Sequence, residues 1–222
     1  NVLVCSFGGV GSKCLLKGMM PGASNERLNA AHTHRRNPPT GGEPGGRTLV
    51  YVFGNPLNAV VSFFARRESI TELHGFDGKS GKGKNHWVMQ HCRNLATEPG
   101  PMTQEWDLPR FLDHGEDLFR LEEHFDNWSN PPPGTRVLLV RYESMWDHLP
   151  EIFRFAEIPE SLIRRFPERR RRGSDWRDLP DGLRARLEGL YGRLHERLVA
   201  QPDVRIIGDG VSTAFERPGR TS

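Results

Sequence analysis

Cysteine is scarce: Cys5, Cys14 and Cys92 are the only three in 222 residues, and no two form a C-x-x-C pair. A disulfide scaffold is excluded, and the spacing argues against a structural zinc site. Long apolar runs are missing too. The longest are about five residues, such as Leu49 to Phe53, where a membrane-spanning helix needs about 20. Neither sign of charge dominates, with 31 basic against 28 acidic residues and a net charge of +3, too even for a nucleic-acid coat. Lysine is rare at five residues, so the basic set is nearly all arginine. Arginine's forked donors suit phosphate and sulfate, although a GC-rich genome would give the same bias. Apolar residues at 36% and charged residues at 27% are compatible with a folded core. At about 150 residues per domain, the length suggests one domain with a sizeable insertion. The chain opens directly in the strand-like Asn1-Val2-Leu3-Val4, as a piece of a longer chain would. A signal or anchor would then lie outside it, and a cytoplasmic location is the expectation.

Three apolar runs read as buried strands: Val2 to Phe7, Thr48 to Phe53 and Thr135 to Tyr142. They lack the polar alternation of a half-exposed sheet. Helices are expected at Cys14 to Met20, Leu57 to Arg67, His114 to Trp128, Leu149 to Ala156 and Asp181 to Ala200. Strands alternating with helices predict an α/β fold, a parallel sheet covered on both faces. Residues 74 to 110 read as irregular, and the stretch from about 68 to 130 as an insertion or lid within a single domain, 1 to 222.

Four segments carry candidate chemistry. The first is Gly8-Gly9-Val10-Gly11-Ser12-Lys13, between a strand and a helix. Glycines let successive N–H groups face one anion, and the helix adds its positive end. Such a turn is also common as a purely structural device. A triphosphate-binding loop would end Gly-Lys-Ser/Thr; here the order is Gly11-Ser12-Lys13-Cys14, with Cys14 in the magnesium-binding position. The second is His32-Thr33-His34, where a histidine could act as general base or simply face solvent. No nearby residue offers a third metal ligand. The third runs from Gly54-Asn55-Pro56 to Ser62, and the fourth is Arg169-Arg170-Arg171-Arg172-Gly173-Ser174-Asp175-Trp176-Arg177.

In this order, the four segments resemble the sulfotransferase superfamily that uses 3′-phosphoadenylyl sulfate (PAPS), a P-loop fold. His124-Phe125-Asp126-Asn127-Trp128 and Arg141-Tyr142-Glu143-Ser144-Met145 are similar to its later segments, and the likeness covers about residues 1 to 180. The resemblance implies that the loop Gly8 to Lys13 holds the 5′-phosphosulfate of PAPS. It implies that Ser62, Arg169 and Arg170 hold the 3′-phosphate, that His34 is the catalytic base, and that no metal is needed. Two positions depart from the pattern: Gly9 replaces a lysine, and Gly54 an arginine. Lys13 would then supply the catalytic charge, and Ser62 with Arg169 and Arg170, or Arg66 and Arg67, the 3′-phosphate contacts. The partner implied is a small-molecule or carbohydrate acceptor bearing a hydroxyl or amine, with no nucleic acid or membrane. His32, His124 and Trp128 are candidate acceptor contacts, and Trp87, Trp106 and Phe111 candidate stacking surfaces or packing. The alternatives are a noncatalytic nucleotide- or anion-binding member and a kinase with an aberrant loop.

Overall fold

A computed structural model describes residues 1–40, 46–74, 86–96, 100–103, 106–170, 173–208 and 211–215. Arg171 and Arg172, and the side chains of Arg66, Arg67 and Trp87, lie outside the described part.

The sheet has six strands: β1 (Val2–Ser6), β2 (His32–Thr33), β3 (Thr48–Phe53), β4 (Val137–Arg141), β5 (Val204–Gly208) and β6 (Val211–Phe215), in the order β2-β1-β3-β4-β5-β6. β2, β1, β3 and β4 run parallel, while β5 is antiparallel to β4 and β6 to β5. The fold is therefore α/β with a mixed sheet, and the expected parallel sheet forms its first four strands. β1, β3 and β4 are buried along almost their whole length, which is why their sequences show no polar alternation.

The helices are α1 (Ser12–Met19), α2 (Asn25–Ala30), α3 (Pro56–His74), α4 (His86–Ala96), α5 (Leu108–His114), α6 (Leu121–Ser129), α7 (Leu149–Phe155) and α8 (Asp181–Val199), with short 3-10 turns at Tyr142–His148 and Trp176–Asp178. The stretch expected to be irregular contains α4 and the start of α5. Val88, Cys92 and Leu95 of α4 and Phe111 of α5 are core residues, spaced as a helix face requires. Phe119 packs against Phe63 of α3 and Phe111, with ring centroids 4.8 and 5.1 Å away. The described part of the insertion is thus integral to the core. No described helix is long and apolar enough to cross a membrane.

Register sets the position of the site. Ser6 pairs with Val52 and Phe53 with Arg141, so β1, β3 and β4 end at one edge. From β1 the chain goes to β2 on one side and then crosses to β3 on the other. Ligands of open α/β sheets bind outside the carboxyl ends at such a reversal.

Candidate active site

The glycine loop leaves β1 through backbone conformations that most residues avoid. Gly9 has φ of 65° and Gly11 of 70°. A Cβ on Gly9 would lie 2.8 Å from Ala59 Cα of α3, so the lysine of the family pattern does not fit this loop path. A Cβ on Gly11 would overlap the Tyr142 ring. Val10 between them is fully buried, and α1 begins immediately after.

Ser12 and Lys13 diverge because adjacent helical residues point about 100° apart. Ser12 is buried, with Oγ 3.0 Å from Ser6 Oγ and 2.8 Å from His32 Nε2. Lys13 is exposed, and its Nζ donates to Asn29 Oδ1 of α2 at 3.2 Å. The lysine expected to replace the charge missing at Gly9 is engaged outside the loop.

His34 lies directly after β2, beside the end of β1. Its Nδ1 donates to the Ser6 carbonyl at 2.6 Å. A carbonyl can only accept, so in the neutral ring Nε2 is the basic nitrogen. His32 stands perpendicular to His34 with centroids 4.5 Å apart, and its Nε2 faces Ser12 rather than solvent.

Two candidate acceptor contacts are corrected by burial. Trp128 is fully buried; its ring stacks on Tyr51 at 5.4 Å, and Nε1 donates to the Arg35 carbonyl at 2.9 Å. Asn127 donates to the Arg36 carbonyl at 3.3 Å, and Glu123 pairs with the Arg36 guanidinium, so α6 braces the segment that carries His34. His124 is also fully buried, 3.0 Å from the Tyr51 hydroxyl through Nδ1. Neither side chain has a surface to offer an acceptor. Trp106 and Phe111 are core as well.

Burial, and secondarily the charge of nearby His34, lowers the His124 pKa to about 3. The folded ring stays neutral at pH values where the unfolded ring, with a pKa of about 6.5, takes a proton. Its contribution is complete above that value and is lost as pH falls toward 3. Between about pH 7.5 and about pH 5 the wild type should lose about 2 kcal/mol more stability than His124→Gln. Urea unfolding at both pH values checks this, and equal losses would contradict it.

The third and fourth segments meet at a cavity of about 470 Å³. Its walls include Gly54, Asn55 and Asn58 after β3, Arg141 at the end of β4 with Tyr142 and Glu143 after it, Arg169, Arg170 and Arg177, and His195 of α8. Asn58 Oδ1 accepts from the Trp176 N–H at 2.9 Å, docking the fourth segment onto α3. The Arg169 guanidinium sits 5.7 Å over Trp146, whose indole donates to the Pro167 carbonyl at 2.9 Å. Arg141 is neutralised by Asp203, with Nε to Oδ1 at 3.0 Å, and bonds to the Val199 and Gln201 carbonyls.

At Gly54, a Cβ would lie 3.0 Å from both carboxylate oxygens of Glu143, which also accepts from the Asn55 N–H at 3.0 Å. A carboxylate thus abuts the place where the family pattern has an arginine. Ser62, one turn beyond Asn58 on α3, is half-buried and does not line this cavity. Arg169 and Arg170 are therefore brought to Gly54 and Asn55, while Ser62 is not. Tyr142 connects the two halves of the site, lining the cavity while its ring faces Gly11.

Arg141 and His195 line the cavity although neither belongs to the four segments singled out in the sequence. Burial lowers the His195 pKa, which favours its neutral form. Cys5 and Cys92 are buried, their thiols pushed up by desolvation, Cys92 to about 12, which makes them poor nucleophiles. Among the described residues, no group of three or more His, Cys, Asp or Glu side chains has a metal-holding arrangement. No family model, curated protein or solved structure matches the chain.

Proposed function

We propose that the chain is a PAPS-dependent sulfotransferase acting on a hydroxyl or amine of a small-molecule or carbohydrate acceptor. The observation that carries the reading is the 2.6 Å bond from His34 Nδ1 to the Ser6 carbonyl, beside the glycine loop. It fixes a basic nitrogen next to the strand–glycine–helix turn suited to an anion. The arginine-lined cavity supports the same reading from the next strand ends, with Arg169 and Arg170 forming the 3′-phosphate contacts.

In this reading, PAPS supplies a sulfuryl group activated by its 5′-phosphate leaving group. His34 Nε2 accepts the proton of the acceptor while the new O–S or N–S bond forms in line with the breaking bond to the phosphate oxygen. The loop N–H groups beyond Gly8, whose own N–H is held by Ser6 Oγ, and the α1 N-terminus stabilise the charge that develops on the departing phosphate. Positioning does most of the work, as in phosphoryl transfer. Lys13 would enter the site only by leaving Asn29.

The engagement of Lys13 with Asn29 favours a second reading, a noncatalytic member that binds a nucleotide or anion. Thermal shift with 3′-phosphoadenosine 5′-phosphate, paired with a PAPS turnover assay, separates the two. Stabilisation with turnover supports the enzyme, and stabilisation alone the binder. Stabilisation by magnesium-ATP only would favour a kinase.

The cavity yields its own prediction. Replacing Arg169 and Arg170 together by alanine should reduce the preference for PAPS over adenosine 5′-phosphosulfate at least about tenfold, since a charge-assisted hydrogen bond contributes about 1.5–3 kcal/mol. Competition binding of the two nucleotides measures it. An unchanged preference would return the arginines to the role of a solvated surface.

A further inference from the structure

His91 of α4 lies beneath the loop at 3% exposure, and its Nε2 donates to the Phe7 carbonyl at 2.9 Å. The N–H of the same peptide unit, on Gly8, donates to Ser6 Oγ at 3.1 Å. Ser6 Oγ is 3.0 Å from Ser12 Oγ, which is 2.8 Å from His32 Nε2. One hydrogen-bond chain therefore runs from His91, through the Phe7–Gly8 peptide and two serine hydroxyls, to His32. With a lone pair at His32 Nε2, each hydroxyl in the chain donates once onward.

The His34 ring lies between the two ends of that chain. Its centroid is 4.5 Å from His32 and 4.6 Å from His91, and it is nearly perpendicular to both. Gly8 admits His91 to this place, since a Cβ there would overlap the imidazole. The other neighbours of His91 include Phe63 at 4.7 Å and Phe119 at 6.5 Å, surroundings an apolar side chain would fill without the cost of desolvating an imidazole. What the histidine adds is a donor for a loop carbonyl and a wall for His34.

We propose that His91 is a positioning residue: it pins the Phe7–Gly8 peptide and, with His32, walls the His34 ring so that the proton stays on Nδ1 and Nε2 faces the acceptor. The proposal rests on the reading of His34 as general base.

The test is nitrogen-15 NMR of the histidine rings together with steady-state kinetics, in wild type, His91→Gln and His91→Phe. Glutamine retains a donor for the Phe7 carbonyl; phenylalanine fits the apolar surroundings without one. Wild type should show the Nε2–H tautomer at His91 and Nδ1–H at His34, and His91→Gln should keep the His34 tautomer with turnover within about threefold. His91→Phe should show both His34 tautomers and at least about a tenfold loss in kcat, with the donor KM within about threefold. A wild-type His91 in the Nδ1–H tautomer, which needs no variant to fold, would overturn the proposal. So would a folded His91→Phe with an unchanged His34 ring, or His91→Gln as damaging as His91→Phe. If the tautomers behave as expected but the wild type transfers no sulfuryl group, the positioning role stands and the sulfotransferase reading fails.

Discussion

His34→Ala should lower sulfuryl-transfer turnover at least about a hundredfold, because a positioned general base contributes about 10² to 10⁴-fold. The donor's dissociation constant should stay within about twofold, since in the proposed geometry the ring faces the acceptor. His32→Ala should cost about tenfold or less, because its Nε2 is committed to Ser12 rather than to the reacting group. The pair of variants thus distinguishes the base from its neighbour. Steady-state kinetics on a true acceptor decides the matter, and near-normal turnover in His34→Ala would remove both the assignment and the mechanism.

Gly11→Val should destabilise the fold by about 2–4 kcal/mol and abolish stabilisation by 3′-phosphoadenosine 5′-phosphate. Two causes act together. A β-branched residue is strained at φ of 70°, and its Cβ would be driven into the Tyr142 ring. Tyr142 must then move, and it lines the arginine cavity as well as packing on the loop. At about 2–4 °C per kcal/mol for a chain of this size, the melting midpoint should fall by about 5–15 °C. Thermal unfolding with and without the nucleotide reads both effects. Undiminished nucleotide stabilisation would exclude the loop from the site.

The central strands were legible in the sequence because burial on both faces leaves a continuous apolar run. The apolar run Thr48 to Phe53 has the same limits as β3, and the runs at β1 and β4 differ from their strands by one or two residues. β5 and β6 were missed because a partner strand organises them. Val204 to Ile207 is a short run interrupted by Arg205, and its pairing with β4 is what makes it a strand. The helix α4 was obscured by the glycine- and lysine-rich sequence before it, although Val88, His91, Cys92 and Leu95 do fall on one helical face.

Residue types at the site were legible, but directions were not. Lys13 follows Ser12 in a helix whose rotation sends one inward and the other to Asn29, and nothing in the loop sequence fixes that phase. Trp128 and His124 have the composition of an acceptor pocket, yet aromatic rings satisfy the same requirements inside a core. Tyr51, from a strand read only as apolar, is what holds both of them there. The gathering of Arg141 and His195 around Arg169 and Arg170 depends on α8 and β4 meeting across the cavity. No local spacing encodes it.

The most direct measurement is incubation of the protein with sulfur-35-labelled PAPS and a panel of hydroxylated and amine acceptors, with EDTA present. Acceptor-bound label and 3′-phosphoadenosine 5′-phosphate should appear in equal amounts, and His34→Ala should suppress both. Nucleotide binding with no labelled acceptor anywhere in the panel, or label transfer undiminished in His34→Ala, would contradict the account.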